Sequence, residues 1–206
     1  MVTNADHAML DNLKLYSLVL ASNSPRRREL LLGLGLDFVV RVPEDFDESY
    51  PTALDVSQVA EYIAVNKGKT CEQSMRDDEL ILTADTVVCL NGVVFGKPNN
   101  RAEALHMLNE LSGQQHWVYT GVCLTSKKMQ TSFTAKTKVF FSSLTEAEMT
   151  HYVDVFKPFD KAGAYGVQEW IGSVAVERIE GSYFNIMGLP VHQLYQVLKE
   201  FPHFES

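Results

Sequence analysis

The residues able to do chemistry lie in a few short segments. Asp85-Thr86 interrupts the apolar run ILTADTVVCL. A carboxylate among Leu, Val and Cys neighbours is costly to bury unless a cation or metal pairs with it. Asp85 is therefore a candidate for function, although a strand edge or a turn would hold it harmlessly. Earlier in the chain, ASNSPRRR places Ser24 as an N-cap and Pro25 at the first helical position. Arg26 and Arg27 follow at once. Unpaired N–H groups at a helix start favour an anion, and forked guanidinium donors match phosphate oxygens. The plain alternative is a solvated first turn, but cations there are misplaced without a compensating anion.

Other segments offer weaker signals. Gly96-Lys97-Pro98 is one residue short of a phosphate loop and lacks Ser or Thr after the lysine, which excludes that motif. Lys97 then reads as surface or as a phosphate partner, and so do Lys67 and Lys69. Glu44, Asp45, Asp47 and Glu48 form an acidic stretch. It is either a solvated loop or a source of hard oxygen ligands for Mg²⁺. In DKAGAYGVQ, from Asp160 to Gln168, Gly163 and Gly166 allow close backbone approach. Gln168 carries donors and an acceptor suited to a base edge, though a structural turn reads equally well. The six histidines form no i,i+4 pair and no HExxH motif, so zinc hydrolysis has no support.

The elements that must position these residues alternate between strand and helix. LYSLVLA and DFVVRV read as strands, and the helix between them ends at the glycines of LLLGLG. A helix is predicted from about Ala53 to Ser74, because Val56, Val59, Ala60 and Ile63 recur at helical spacing. ELILTADTVVCL and VVFGKP flank Asn91-Gly92, a strong hairpin signal. NRAEALHMLNEL is a helix. WVYTGVCLTS and FTAKTKVFFSS form a second hairpin across SKKMQT. Its Phe133, Phe140 and Phe141 are expected in the core. Thr145 and Glu148 form a capping box. SVAVERI is expected as a strand and EGSYFN as a turn, before a last helix entered at Gly188-Leu189-Pro190. The class is α/β with mixed pairing, because hairpins interrupt the crossover pattern.

Composition bounds the partners. The chain has 206 residues, 46% hydrophobic and 21% charged, which fits one large domain or two small ones. Residues 1–14 read as a flexible N-terminal extension and 15–206 as one domain. The 18 Lys and Arg against 26 Asp and Glu give a formal charge of -8. That disfavours a broad nucleic-acid surface but not a local anion pocket. No apolar stretch is long enough for a membrane span, and the start lacks the order of a signal peptide. Cys71, Cys89 and Cys123 are odd in number and far apart. They are expected as reduced, packed thiols in a cytoplasmic protein.

Five segments in this order, LASNSPRRRELL, TADTVVCLNGVVFGKP, LSGQQHWVYTGV, DKAGAYGVQ and GSYFNIMGLP, resemble the Maf family of nucleoside triphosphate pyrophosphatases. The resemblance runs from about Leu18 to Phe201. DKAGAYGVQ resembles the branch acting on dTTP and UTP. The resemblance implies an elongated mixed-sheet Maf/ITPase-like fold with a cleft between two lobes, and a homodimer. It implies Asp85 as proton acceptor, and Arg26, Thr86 and Gln168 as residues that discriminate substrates. It places Glu48, Lys67, Lys97 and Asp160 around phosphates and metal, with Ser24, Arg27 and Lys161 among the substrate-binding groups. Mg²⁺ or Mn²⁺ would be held by Asp85 and Glu48. Glu169-Trp170 departs from the pattern, where relatives often carry a small residue. The implied activity is hydrolysis of dTTP and UTP to monophosphate and pyrophosphate. A nucleotide-binding regulator of cell division, a pyrophosphatase for 7-methyl-GTP or CTP, and a phosphatase releasing orthophosphate are the alternatives.

Overall fold

The apolar runs assemble into a seven-stranded mixed sheet. The computed structural model describes residues 6–43 and 46–204. β1 (Ser17–Leu20) runs parallel to β2 (Val39–Val40) on one side and to β3 (Glu79–Leu90) on the other. β3 pairs antiparallel with β4 (Val93–Phe95) and with β5 (Gln115–Thr125). β5 continues into β6 (Gln130–Phe141), and β6 pairs antiparallel with β7 (Val176–Glu180). The strand order is β2-β1-β3-β5-β6-β7, with β4 beside β3. Asn91 and Gly92, at φ 50° and 81°, close the β3–β4 hairpin in the left-handed conformations its turn demands.

Seven helices flank the sheet among the described residues. They are α1 (Pro25–Leu32), α2 (Val56–Glu72), α3 (Arg101–Leu111), α4 (Glu146–Phe156), α5 (Trp170–Ala175), α6 (Tyr183–Met187) and α7 (Val191–Glu200). Ser24 caps α1 by accepting from the Arg27 N–H, and Thr145 with Glu148 forms the capping box of α4. Within the stretch read as an N-terminal extension, Asp6–Leu13 form a 3-10 helix. There Asn12 Nδ2 donates to the Leu198 and Phe201 carbonyls at the end of α7.

Two large apolar clusters make up most of the core. One joins Leu108, Leu111, Tyr152 and Ile171 against β5 and β6; the other joins Leu20, Leu31, Leu189 and Leu194 against β3. The three cysteines are free and buried. Gly121 of β5 lies so close to α2 that a Cβ there would sit 2.2 Å from the Glu61 nitrogen. Among the described residues, no helix is long and apolar enough to cross a membrane.

Four local expectations are corrected. Only Val39 and Val40 of DFVVRV pair, as an exposed edge strand; Pro43, which follows, has no N–H for a ladder. SVAVERI is strand only from Val176, because Ser173–Ala175 complete α5. That helix forms because Ile171 and Ala175, four residues apart, are both fully buried. The second half of EGSYFN is helical, since Ser182 caps α6 through the Asn185 N–H. Phe141 is buried as expected, whereas Phe140 is half-buried beneath Arg178, whose guanidinium carbon is 3.8 Å from the ring centre.

Candidate active site

A cleft beside β3 and the start of α1 has a volume of about 430 Å³. Ser24, Arg26, Arg27, Glu48, Lys67, Asp85, Thr86, Lys97, Asp160, Lys161 and Gln168, all expected at a site, line it together. Glu44 and Asp45 of the acidic stretch lie outside the described residues. Asp47 is turned to Ser49 instead, accepting from its N–H and hydroxyl. Arg28 and Lys69 are exposed outside the cleft.

Each wall has a local cause. β3 delivers Asp85 and Thr86 to the middle of the cleft. The start of α1 delivers Arg26 and Arg27. α2 delivers Lys67, whose ammonium lies 5.0 Å from the centre of the Phe46 ring. Asp160 and Lys161 follow α4, with the Lys161 ammonium 2.7 Å from Asp160 and 3.0 Å from Glu169. Glu169 also accepts from the Tyr152 hydroxyl, which in turn accepts from the Gly166 N–H. This chain of contacts holds the segment that ends at Gln168, an exposed amide at the cleft rim. Five cationic side chains line the cleft against three carboxylates, so it is electropositive in a chain of charge -8. Low-dielectric walls focus such a field on an anionic ligand.

The two arginines differ. Arg26 is paired with the exposed Asp160 carboxylate at 2.8 Å, a contact open to exchange for phosphate. Arg27 is spent on the protein: its Nε donates to the Gly188 carbonyl at 2.8 Å and its Nη1 to the Ala84 carbonyl at 2.8 Å. Its Nη2 donates to Thr86 Oγ1 at 3.1 Å. Burial pushes the Arg27 guanidinium below its ordinary value, against the pull of Asp85.

Asp85 is a buried carboxylate of the cleft. Burial raises it above the ordinary value of 3.8, although Lys67, at 3.7 Å, and Arg27 pull it down. Glu48 moves the other way. Burial pulls it up, but Lys67 at 3.0 Å and Lys97 at 3.5 Å outweigh that and hold it below its ordinary value. Two carboxylates pushed apart by their surroundings can divide chemical roles.

A family profile described as Maf-like protein matches residues 17–201. The chain belongs to the Maf family. This Maf chain is 54% identical over 192 residues to the dTTP/UTP pyrophosphatase of Bacteroides thetaiotaomicron, a match that covers 93% of the chain and 100% of the relative. It is 53% identical over 193 residues to the protein of the same name from Parabacteroides distasonis, covering 94% and 100%. The Ham1 protein of Staphylococcus aureus shares the fold at a TM-score of 0.53 and 16% identity, over 89% of the Maf chain and 98% of that protein.

The donor set also bears on metal binding. Among the described residues, no three His, Cys, Asp or Glu side chains converge on one point. Asp85 and Glu48 nonetheless meet around the single Lys67 ammonium. Two hard carboxylates in one cleft are ligands of the kind Mg²⁺ or Mn²⁺ takes, ions that keep several waters in their shell.

Sequence reasoning gave no site role to Thr120, Asn185 or Gly188. Thr120 and Asn185 are fully buried beneath Thr86, and Gly188 lies beside it with φ 110°. Their positions inside WVYTGV and FNIMGLP were the available signal; the contacts that give them a role span more than 30 residues of sequence.

Proposed function

We propose that this Maf chain hydrolyses dTTP and UTP to the nucleoside monophosphate and pyrophosphate. The observation that carries this reading is the convergence of a buried carboxylate, Asp85, with five cationic side chains in one cleft. The near full-length identity to proteins named dTTP/UTP pyrophosphatase supports the substrate class.

A triphosphate carries about four negative charges. Arg26, Lys67, Lys97 and Lys161 meet them from different walls, which fixes the phosphates in line and neutralises developing charge. A divalent cation held by Asp85 and Glu48 would supply further charge neutralisation and lower the pKa of a bound water. Asp85 orients a water and takes its proton as the water oxygen bonds to the α-phosphorus. The bridging P–O bond breaks, and its electron pair leaves with pyrophosphate. No Ser or Cys nucleophile is needed. Gln168 at the rim and Thr86 in the wall contact the nucleoside.

One panel tests the reading: dTTP, UTP, CTP, dATP and 7-methyl-GTP with Mg²⁺ or Mn²⁺, with pyrophosphate and orthophosphate quantified separately. The expected result is pyrophosphate from dTTP and UTP at least about tenfold faster than from the others, a difference of one good hydrogen bond at the base. Binding of dTTP without product would instead mark a nucleotide sensor, and orthophosphate a phosphatase. A homodimer of this chain in the cytoplasm, without nucleic acid, belongs to the same proposal; light scattering of the purified protein reads its mass.

A further inference from the structure

Three hydroxyl and carbonyl oxygens form a line beneath the cleft. Thr86 Oγ1 lies 2.9 Å from Thr120 Oγ1, and Thr120 Oγ1 lies 3.0 Å from the Asn185 carbonyl. Each contact needs one proton between its oxygens, and a carbonyl has none to give. Thr120 must therefore donate to Asn185, whose carbonyl also accepts from the Gly188 N–H at 3.0 Å. Its only proton is then spent, so the proton between the two threonines comes from Thr86. Arg27 Nη2, 3.1 Å from Thr86 Oγ1, can only donate. Thr86 thus gives its proton inward, accepts one bond from Arg27, and keeps one lone pair for the cleft it lines.

Gly188 leaves that oxygen uncovered. A Cβ at position 188 would lie 3.5 Å from both Thr86 Oγ1 and Arg27 Nε. Any side chain there would begin in contact with the reading atom.

We infer that Thr120 is a positioning residue that fixes Thr86 as a hydrogen-bond acceptor, so that the cleft selects nucleotides presenting a donor on the nucleoside. This rests on the pyrophosphatase reading above. Two groups of dTTP have the required chemistry: the imide N3–H of thymine, which uracil shares, and the 3′-hydroxyl of the sugar. Cytosine presents a lone pair at N3 and would meet the Thr86 lone pair in repulsion. Without Thr120, the Thr86 proton is free to turn into the cleft and the distinction is lost.

The test compares wild type, Thr120→Val and Thr120→Ser on dTTP, N3-methyl-dTTP and 2′,3′-dideoxythymidine triphosphate. Valine matches threonine in shape and removes only the hydroxyl. Wild type is expected to lose roughly tenfold in kcat/KM on whichever analogue lacks the donor that Thr86 reads. Thr120→Val should lose roughly tenfold on dTTP itself, mainly as a rise in KM, since uniform binding is what is removed. On that analogue it should show no further loss. Thr120→Ser should restore wild-type values to within about twofold. Unchanged dTTP kinetics in a folded Thr120→Val, or an analogue penalty that persists in it, would overturn the inference alone. If Thr120→Val does not fold, the wild-type analogues decide, and indifference to both overturns it. A wild type inactive on dTTP would overturn the functional reading and this inference with it.

Discussion

Asp85→Asn is expected to lower kcat on dTTP by at least about 100-fold, the lower range for losing a general base, while the melting temperature stays the same or rises. The two effects share one cause. Asp85 is held above its ordinary value of 3.8, burial being the largest influence. Between 3.8 and the folded-state value, the folded chain binds more protons than the unfolded one. The stability contributed by this group is therefore fully present below pH 3.8 and is lost as pH rises through the folded value. At neutral pH the ionised carboxylate works against the fold of the empty cleft. Asparagine stays neutral and removes that penalty, and Lys67 keeps Glu48 at 3.0 Å as its partner. Pyrophosphate release and thermal melts on the same preparation read both effects. A variant that turns over dTTP normally would remove Asp85 from its role, and one that melts far lower would make the carboxylate structural.

Gly121→Ala is expected to cost about 3 kcal/mol of stability, the upper end for overpacking a well-fitted contact. Its Cβ would meet Ala60 C at 2.3 Å and Glu61 N at 2.2 Å, both backbone atoms of α2 that no rotamer change can move. The helix must lift from β5 as a body. Lys67 rides on that helix and is the group shared by Glu48 and Asp85, so lost stability should come with a raised KM. Urea unfolding gives the first and steady-state kinetics the second. A midpoint equal to wild type would show that α2 can shift freely, and would remove the close packing as the cause of Lys67's position.

Local signals carried much of the fold in the sequence. Ser24-Pro25, Asn91-Gly92 and the Thr145–Glu148 capping box each act within four residues, and each forms as its chemistry requires. The segments that misled were those decided from afar. Ser173–Ala175 read as the head of the Val-containing run SVAVERI, but burial of Ile171 and Ala175 winds them into α5. Val39 and Val40 form a two-residue strand that pairs with β1 at the sheet edge.

For the cleft, residue type announced Asp85, because a carboxylate in an apolar run needs a reason. The sequence ASNSPRRR could not divide labour among its arginines. That Arg27 is enclosed and Arg26 available depends on Ala84, Thr86 and Gly188, which lie 57 to 161 positions away. Thr120 escaped notice for the same reason: an isolated threonine in a strand is ordinary until its hydroxyl is found between the Thr86 hydroxyl and the Asn185 carbonyl.

The most direct test of the central claim is a single turnover of dTTP in isotopically labelled water, with products resolved by mass. Attack by an Asp85-directed water at the α-phosphorus predicts one labelled oxygen in dTMP and unlabelled pyrophosphate. Label in the pyrophosphate, or release of orthophosphate in its place, would contradict it.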